Sequence, residues 1–190
     1  RTADHTRAYI KIQDGCNQFC TYCIIPYARG RVRSRRQEDI LTEIKGLVAN
    51  GYKEVVVTGI HVSSYGLDFL KKDSGDYLEG TKDVREAVYK KEYLLNLLEE
   101  INAVDGLERI RLGSLEPRII TERFTERLSK LEKICPHFHL SLQSGSDSVL
   151  KRMNRRYSCS EYYEKVMILR KYFDDVAITT DIITGFPGET

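Results

Sequence analysis

No run in this chain approaches the roughly 20 apolar residues that a membrane span needs, and only 4 of its 190 residues are proline. The first lack excludes a spanning helix, and no membrane partner is expected. The second excludes a collagen-like or proline-rich disordered chain. An excess of one charge is also lacking: 30 lysines and arginines face 28 aspartates and glutamates, a formal net charge of +2. Near-neutrality does not by itself announce nucleic acid, so the distribution of charge must decide. Internal repeats and low-complexity tracts are absent, as are an initiating methionine, an apolar signal region and a transit pattern. The chain opens Arg1-Thr2-Ala3-Asp4 and closes Gly185-Phe186-Pro187-Gly188-Glu189-Thr190, which reads as an excised piece of a longer protein.

With 41% hydrophobic and 31% charged residues, the chain is globular, long enough for one domain with a real core and too short for two ordinary ones. Short apolar runs alternate with amphipathic stretches. Strands are expected at 8–12, 54–59, 109–112, 138–142 and 176–183. Helices are expected at 37–49, ended by Asn50-Gly51, and at 93–104, 122–134, 146–153 and 160–173. Residues 65–86 read as a long solvated loop. Strands alternating with helices mean βαβ units and a parallel sheet, whose right-handed crossovers curl it toward a barrel. The fold class is therefore α/β, a partial TIM-like barrel with about five parallel strands present and a sixth missing. The open edge of the fifth strand is an association hazard, and the oligomeric state stays unknown. In such folds the chemistry sits at the C-terminal ends of the strands.

The cysteines number 5, an odd count that excludes complete disulfide pairing. A secreted disulfide scaffold would be smaller and denser in cysteine, so clustered thiols point to a metal site in a reducing cytoplasm. Cys16, Cys20 and Cys23 form C-x-x-x-C-x-x-C directly after the first strand. Three thiolates in one loop can hold three corners of a cubane iron–sulfur cluster, which leaves one iron open to a cofactor or substrate. Gly15 lets the backbone turn there, and Tyr22 can pack over the cluster or cofactor. Zinc is the alternative, but it wants four ligands, with Cys135 or His137 arriving in space. A redox Cys20/Cys23 pair wants a strand-to-helix start, which Pro26 interrupts. Cys135 and Cys159 read as ordinary buried thiols, and His61 as a satisfied polar histidine.

The segment Gly15-Cys16-Asn17-Gln18-Phe19-Cys20-Thr21-Tyr22-Cys23-Ile24-Ile25-Pro26-Tyr27-Ala28-Arg29-Gly30 resembles the signature of the radical S-adenosylmethionine methylthiotransferases. Thr58-Gly59-Ile60-His61-Val62, Gly113-Ser114-Leu115-Glu116-Pro117, Leu142-Gln143-Ser144-Gly145-Ser146, Met153-Asn154-Arg155-Arg156-Tyr157 and the stretch from Asp181 to Thr190 agree with it. The resemblance implies a 4Fe-4S cluster on Cys16, Cys20 and Cys23. It also implies S-adenosylmethionine chelated to the open iron and cleaved by one electron to a 5′-deoxyadenosyl radical. The electron would come from a reductant such as flavodoxin or ferredoxin. Cofactor-binding roles carry over to Tyr22, Thr58, Gly59, Glu116, Ser141, Gln143, Arg155, Asp181 and Gly185. Thr58-Gly59-Ile60 lacks the superfamily's glutamate, so backbone carbonyls would meet the cofactor's amino group, and Asp181 replaces a glycine of the adenine-side pattern. Blander roles exist for several of these residues. Glu116 could cap a turn, Gln143 could satisfy buried backbone groups, Gly185 could be a turn glycine, and Arg155 could be a solvated charge.

Arg29, Arg31, Arg33, Arg35 and Arg36 place five arginines in eight residues, and Tyr27 adds a stacking surface. A solvated loop is one reading of this stripe; a grip on the phosphates and an unstacked base of a tRNA anticodon loop is the other. Within the family the signature looks most like the branch acting on N6-threonylcarbamoyladenosine in tRNA. Isopentenyladenosine in tRNA and an aspartate of a ribosomal protein are the other substrates. A non-catalytic zinc or RNA-binding module is the reading from another class. The resemblance makes residues 1–190 the radical core, with the family's N-terminal methylthiotransferase domain and C-terminal TRAM domain absent.

Overall fold

A computed structural model describes residues 7–69 and 92–189, so most of the loop expected at 65–86 lies outside the described residues. The first strand, β1 (Ala8–Asp14), alternates as far as Ile12: Ala8, Ile10 and Ile12 are buried, whereas Tyr9 and Lys11 face the other way. In β3 (Glu54–Gly59) the first four residues are all buried, whereas β4 (Arg109–Leu112) alternates again, with Ile110 and Leu112 buried. β1 pairs in parallel with β3, and β3 with β4. β5 (His137–His139) and β6 (Ala177–Thr179) form a second parallel pair. A bridge between Leu115 and Leu140 joins the two sheets. Each parallel strand therefore adds beside its predecessor, the winding of a barrel and not of a doubly wound sheet. Among the described residues the five parallel strands form an open arc, as expected.

The helices cover one face of this arc. α2 (Gln37–Ala49) buries Ile40 and Ile44 and ends at Asn50 and Gly51. α3 (Tyr93–Asn102) buries Leu94, Leu95, Leu97, Leu98 and Ile101. α4 (Glu122–Ser129) starts at Thr121, whose hydroxyl accepts from the Phe124 N–H. It stops short of the expected Ile134 because Ile134 is needed elsewhere: it bridges to Ile110, and the Cys135 N–H donates to the Ile110 carbonyl at 2.9 Å. α5 (Asp147–Arg152) is followed by α6 (Cys159–Tyr172), which is opened by a reciprocal capping box between Ser158 and Glu161.

Two short elements escape the hydrophobic pattern. α1 (Ile25–Ala28) is one turn with proline in its first positions. Pro26 starts that turn instead of interrupting it, because a first-turn proline lacks only an N–H that the helix does not use. β2 (Arg33–Ser34) runs antiparallel to the end of β1, pairing Gln13 with Ser34 and Asp14 with Arg33. The cysteine loop is thereby closed at its base. The last two strands are also shorter than expected. Gln143 has a left-handed φ of 73°, which breaks the extended run after β5, and the ladder continues only as a bridge from Gln143 to Ile182.

The core lies between the helices and the convex sheet face. Phe138 is fully buried there and meets Phe173 edge-on at 4.9 Å. Phe138→Ala is expected to lower unfolding free energy by about 3–5 kcal/mol, measured by urea denaturation. A loss under 1 kcal/mol would contradict this placement.

Candidate metal centre at the strand ends

The cysteine loop is built on backbone constraints. Gly15 has φ +71°, and a Cβ there would sit 2.0 Å from the Arg31 carbonyl oxygen. The Cys16 N–H donates to the Gly30 carbonyl, and the Val32 N–H to the Asn17 side chain. Sequence reasoning missed the residue beneath this turn. Gln13 is 1% exposed. Its amide donates to the carbonyls of Asp14 and Gly15, and its oxygen accepts from the His61 N–H at 2.8 Å.

A second clamp comes from the connection between α5 and α6. Asn154 donates to the carbonyls of Gln18 and Phe19, while Thr21 donates its N–H to Met153 and its hydroxyl to Arg152. Arg155 places Nη1 3.4 Å from the Cys20 sulfur. Burial works against its charge, but the Tyr157 phenol and the Cys20 sulfur outweigh it and hold the guanidinium protonated. The polar partners of Arg155 are the Tyr157 hydroxyl, the Cys20 sulfur and the Ser141 carbonyl.

Cys16 is buried, and Cys20 and Cys23 are half-buried. Burial pushes the Cys16 thiol up, and the neighbouring sulfurs of Cys20 and Cys23 add to this. Three thiols thus lie within electrostatic reach of one another beside a cation. Among the described residues no group of three or more His, Cys, Asp or Glu side chains converges on a single ion. Zinc draws four ligands onto one centre, whereas the cysteines of a cluster bind separate irons. Cys135 is buried as expected. Cys159 is half-buried at the start of α6, where its N–H caps the Asp147 carboxylate at 2.7 Å.

The remaining candidates line the same rim with different roles. Thr58 and Gly59 end β3, where a Cβ on Gly59 would lie 3.0 Å from the Gln13 carbonyl. Glu116 is buried and ion-paired to Arg118 at 2.5 Å, with its N–H donating to Ser63. Ser141 presents its carbonyl to Arg155 and Tyr157. The Gln143 backbone N–H donates to the Asp181 carbonyl, and its carbonyl accepts from the Ile183 N–H. The Asp181 carboxylate is 75% exposed and lies 3.3 Å from His139. Gly185 takes φ +72° in the turn whose Phe186 meets Tyr22 edge-on.

The five arginines do not form one stripe. Arg29 and Arg33 share Asp14, each at 3.8 Å. Arg35 pairs with Glu43 at 2.7 Å, and Arg36 with Asp39 at 3.3 Å, both on α2. Arg31 covers the Phe19 ring, which meets Tyr27 edge-on, and Tyr27 itself is 74% exposed.

A three-cysteine loop at the head of a parallel βα arc defines a class. The sequence model of the radical SAM superfamily matches residues 10–190, and the chain belongs to that superfamily. Among individual relatives, it is 43% identical over 184 residues to a tRNA-2-methylthio-N(6)-dimethylallyladenosine synthase of Clostridium botulinum, covering 97% of this chain and 37% of that protein. It is 45% identical over 185 residues to the threonylcarbamoyladenosine tRNA methylthiotransferase MtaB of Chlamydia pneumoniae, covering 97% and 39%. The chain thus spans well under half the length of these curated relatives. The radical S-adenosylmethionine methyltransferase TsrM of Kitasatospora setae shares its fold, with a TM-score of 0.69 and 19% identity over 97% of this chain and 31% of that one. No helix among the described residues is long and apolar enough to cross a membrane.

His61 is satisfied as expected: Nδ1 lies 2.6 Å from the Ser64 hydroxyl and Nε2 3.5 Å from the Gln18 amide. Burial, opposed by Glu116 and reinforced by Arg155 and Arg118, pushes its pKa down to about 4. An unfolded histidine titrates near 6.5, so the unfolded chain binds the proton first. Stability should therefore fall as pH drops from about 6.5 to about 4, by up to about 3 kcal/mol. Urea unfolding from pH 7 to 4 measures this slope, which His61→Asn should flatten; an equal slope in that variant would refute the assignment.

Proposed function

We propose that this chain is the radical SAM core of a tRNA methylthiotransferase that adds a methylthio group to N6-threonylcarbamoyladenosine beside the anticodon. The observation carrying this reading is the loop of Cys16, Cys20 and Cys23 at the end of β1, joined to 42–45% identity with relatives named as a threonylcarbamoyladenosine tRNA methylthiotransferase and as tRNA-2-methylthio-N(6)-dimethylallyladenosine synthases. When bound, a 4Fe-4S cluster and S-adenosylmethionine supply one-electron cleavage of the cofactor. The chain's own residues bind, orient and exclude water. The three cysteines hold the cluster, and Gln13, Asn154 and Thr21 fix their loop. Tyr22, Thr58, Gly59, Glu116, Ser141, Gln143, Arg155, Asp181 and Gly185 border the cofactor on the rim. The electron comes from a flavodoxin- or ferredoxin-type protein.

Dimethylallyladenosine in tRNA is the second substrate reading, favoured by the several relatives of that name. Anaerobic reconstitution should load this chain with about four irons and four sulfides, and Cys20→Ala should lose them; a colourless zinc protein overturns the proposal. Deleting the gene should remove methylthio from threonylcarbamoyladenosine in cellular tRNA, whereas its loss from dimethylallyladenosine selects the second reading. The chain covers 37% and 39% of two of these relatives, and the 190 residues alone are expected to cleave S-adenosylmethionine slowly without methylthiolating tRNA.

The RNA surface centres on Tyr27, exposed on α1 and backed by Phe19 and Arg31. Arg29, Arg33, Arg35 and Arg36 flank it, each partly neutralised by a carboxylate. Tyr27→Ala should weaken binding of an anticodon stem-loop by about 1–3 kcal/mol, the worth of one stacked base. Fluorescence anisotropy measures this, and unchanged binding would remove Tyr27 from the interface.

A further inference from the structure

Arg155 carries a charge whose surroundings are unusual. Its side chain is half-buried, and its Nε donates to the Tyr157 hydroxyl at 2.9 Å. Nη2 donates to the Ser141 carbonyl and Nη1 to the Cys20 sulfur, each at 3.4 Å. The guanidinium also rests on the Tyr157 ring, 4.9 Å from its centroid. Tyr157 is itself 5% exposed, and its hydroxyl donates to the Ser141 carbonyl and to the Leu142 carbonyl. The cation is therefore held by a strand end and an aromatic ring, and none of these partners is a carboxylate. A cation withdrawn from water without a counter-charge is costly. Its position becomes favourable once the Cys20 sulfur carries negative charge, as a cluster ligand does. The edge that would grip a carboxylate side-on, Nε with Nη2, is already bonded to Tyr157 and Ser141.

We infer that Arg155 is a positioning residue that donates an N–H bond to the Cys20 thiolate and raises the reduction potential of the cluster. The inference rests on the proposed function, because it presupposes a cluster on the three cysteines. A cluster that accepts one electron gains negative charge, so a fixed cation and an N–H···S bond stabilise its reduced form more than its oxidised form. No bond forms or breaks at Arg155 itself. The electron comes from an external one-electron donor, which is dithionite in the experiment below.

The test is a redox titration of the anaerobically reconstituted chain without S-adenosylmethionine, followed by electron paramagnetic resonance and normalised to iron and sulfide content. Arg155→Gln should shift the reduction equilibrium at least tenfold toward the oxidised cluster, which is about 59 mV more negative for a one-electron couple. Arg155→Lys keeps the charge but loses the planar fork, and should fall between the two. Arg155→Gln with a full cluster and the wild-type potential overturns the inference. If that variant retains no iron, Arg155→Lys carries the test, and a potential equal to wild type overturns it. An unchanged potential with weakened S-adenosylmethionine binding overturns it too, and makes Arg155 a contact of the cofactor instead. Failure of the wild-type chain to take up any cluster sinks the proposed function instead, so the two failures are distinguishable.

Discussion

The rim depends on one neutral joint, the carboxamide of Gln13. Two N–H bonds run from it to the backbone that turns into the cysteine loop, and its oxygen takes the backbone N–H that follows β3. Without it two carbonyls and one N–H would lose partners near the core, each at about 1–3 kcal/mol if left unsatisfied. The joint carries no charge, so neither salt nor pH loosens it. Gly15 and Gly59 keep the space around it clear, since side chains there would meet the Arg31 carbonyl or Gln13 itself.

The rim is assembled from every parallel strand, and that division of labour explains its tolerance. β1 supplies the thiols, β3 the Thr58-Gly59 turn, β4 Glu116, β5 Ser141 and Gln143, and β6 Asp181. The convex face of the same strands is apolar and serves only packing. A scaffold of this kind can keep its core while its loops vary, which fits a shared fold at 19% identity with TsrM.

The alternation of strands and helices is legible in the sequence because each element repeats its apolar residues at the period of its own geometry. The three-cysteine loop is legible for a different reason: its spacing is local. What escapes is whatever depends on distant partners. β2 is two residues of arginine and serine, and only the turn at Gly15 brings it beside β1. The end of α4 is set by the demand of β4 for Ile134. The arginine run shows linear charge density but not the carboxylates of Asp14, Asp39 and Glu43, which come from other elements and divide it. The motif around Arg155 is visible in the sequence. Its bond to a sulfur 135 positions away is not.

That separation in sequence has a temporal side. The bonds that shape the loop around Cys20 come from residues 152–155, so a growing chain exposes its thiols long before their clamp exists. At about 5–20 residues per second, synthesis of the intervening segment takes on the order of 10 s. During that interval Cys16, Cys20 and Cys23 are open to oxidants and to stray metal ions. The loop near the start of the fold is thus among the last parts to take its final shape, and a cluster can find its finished cradle only after α5 has been made.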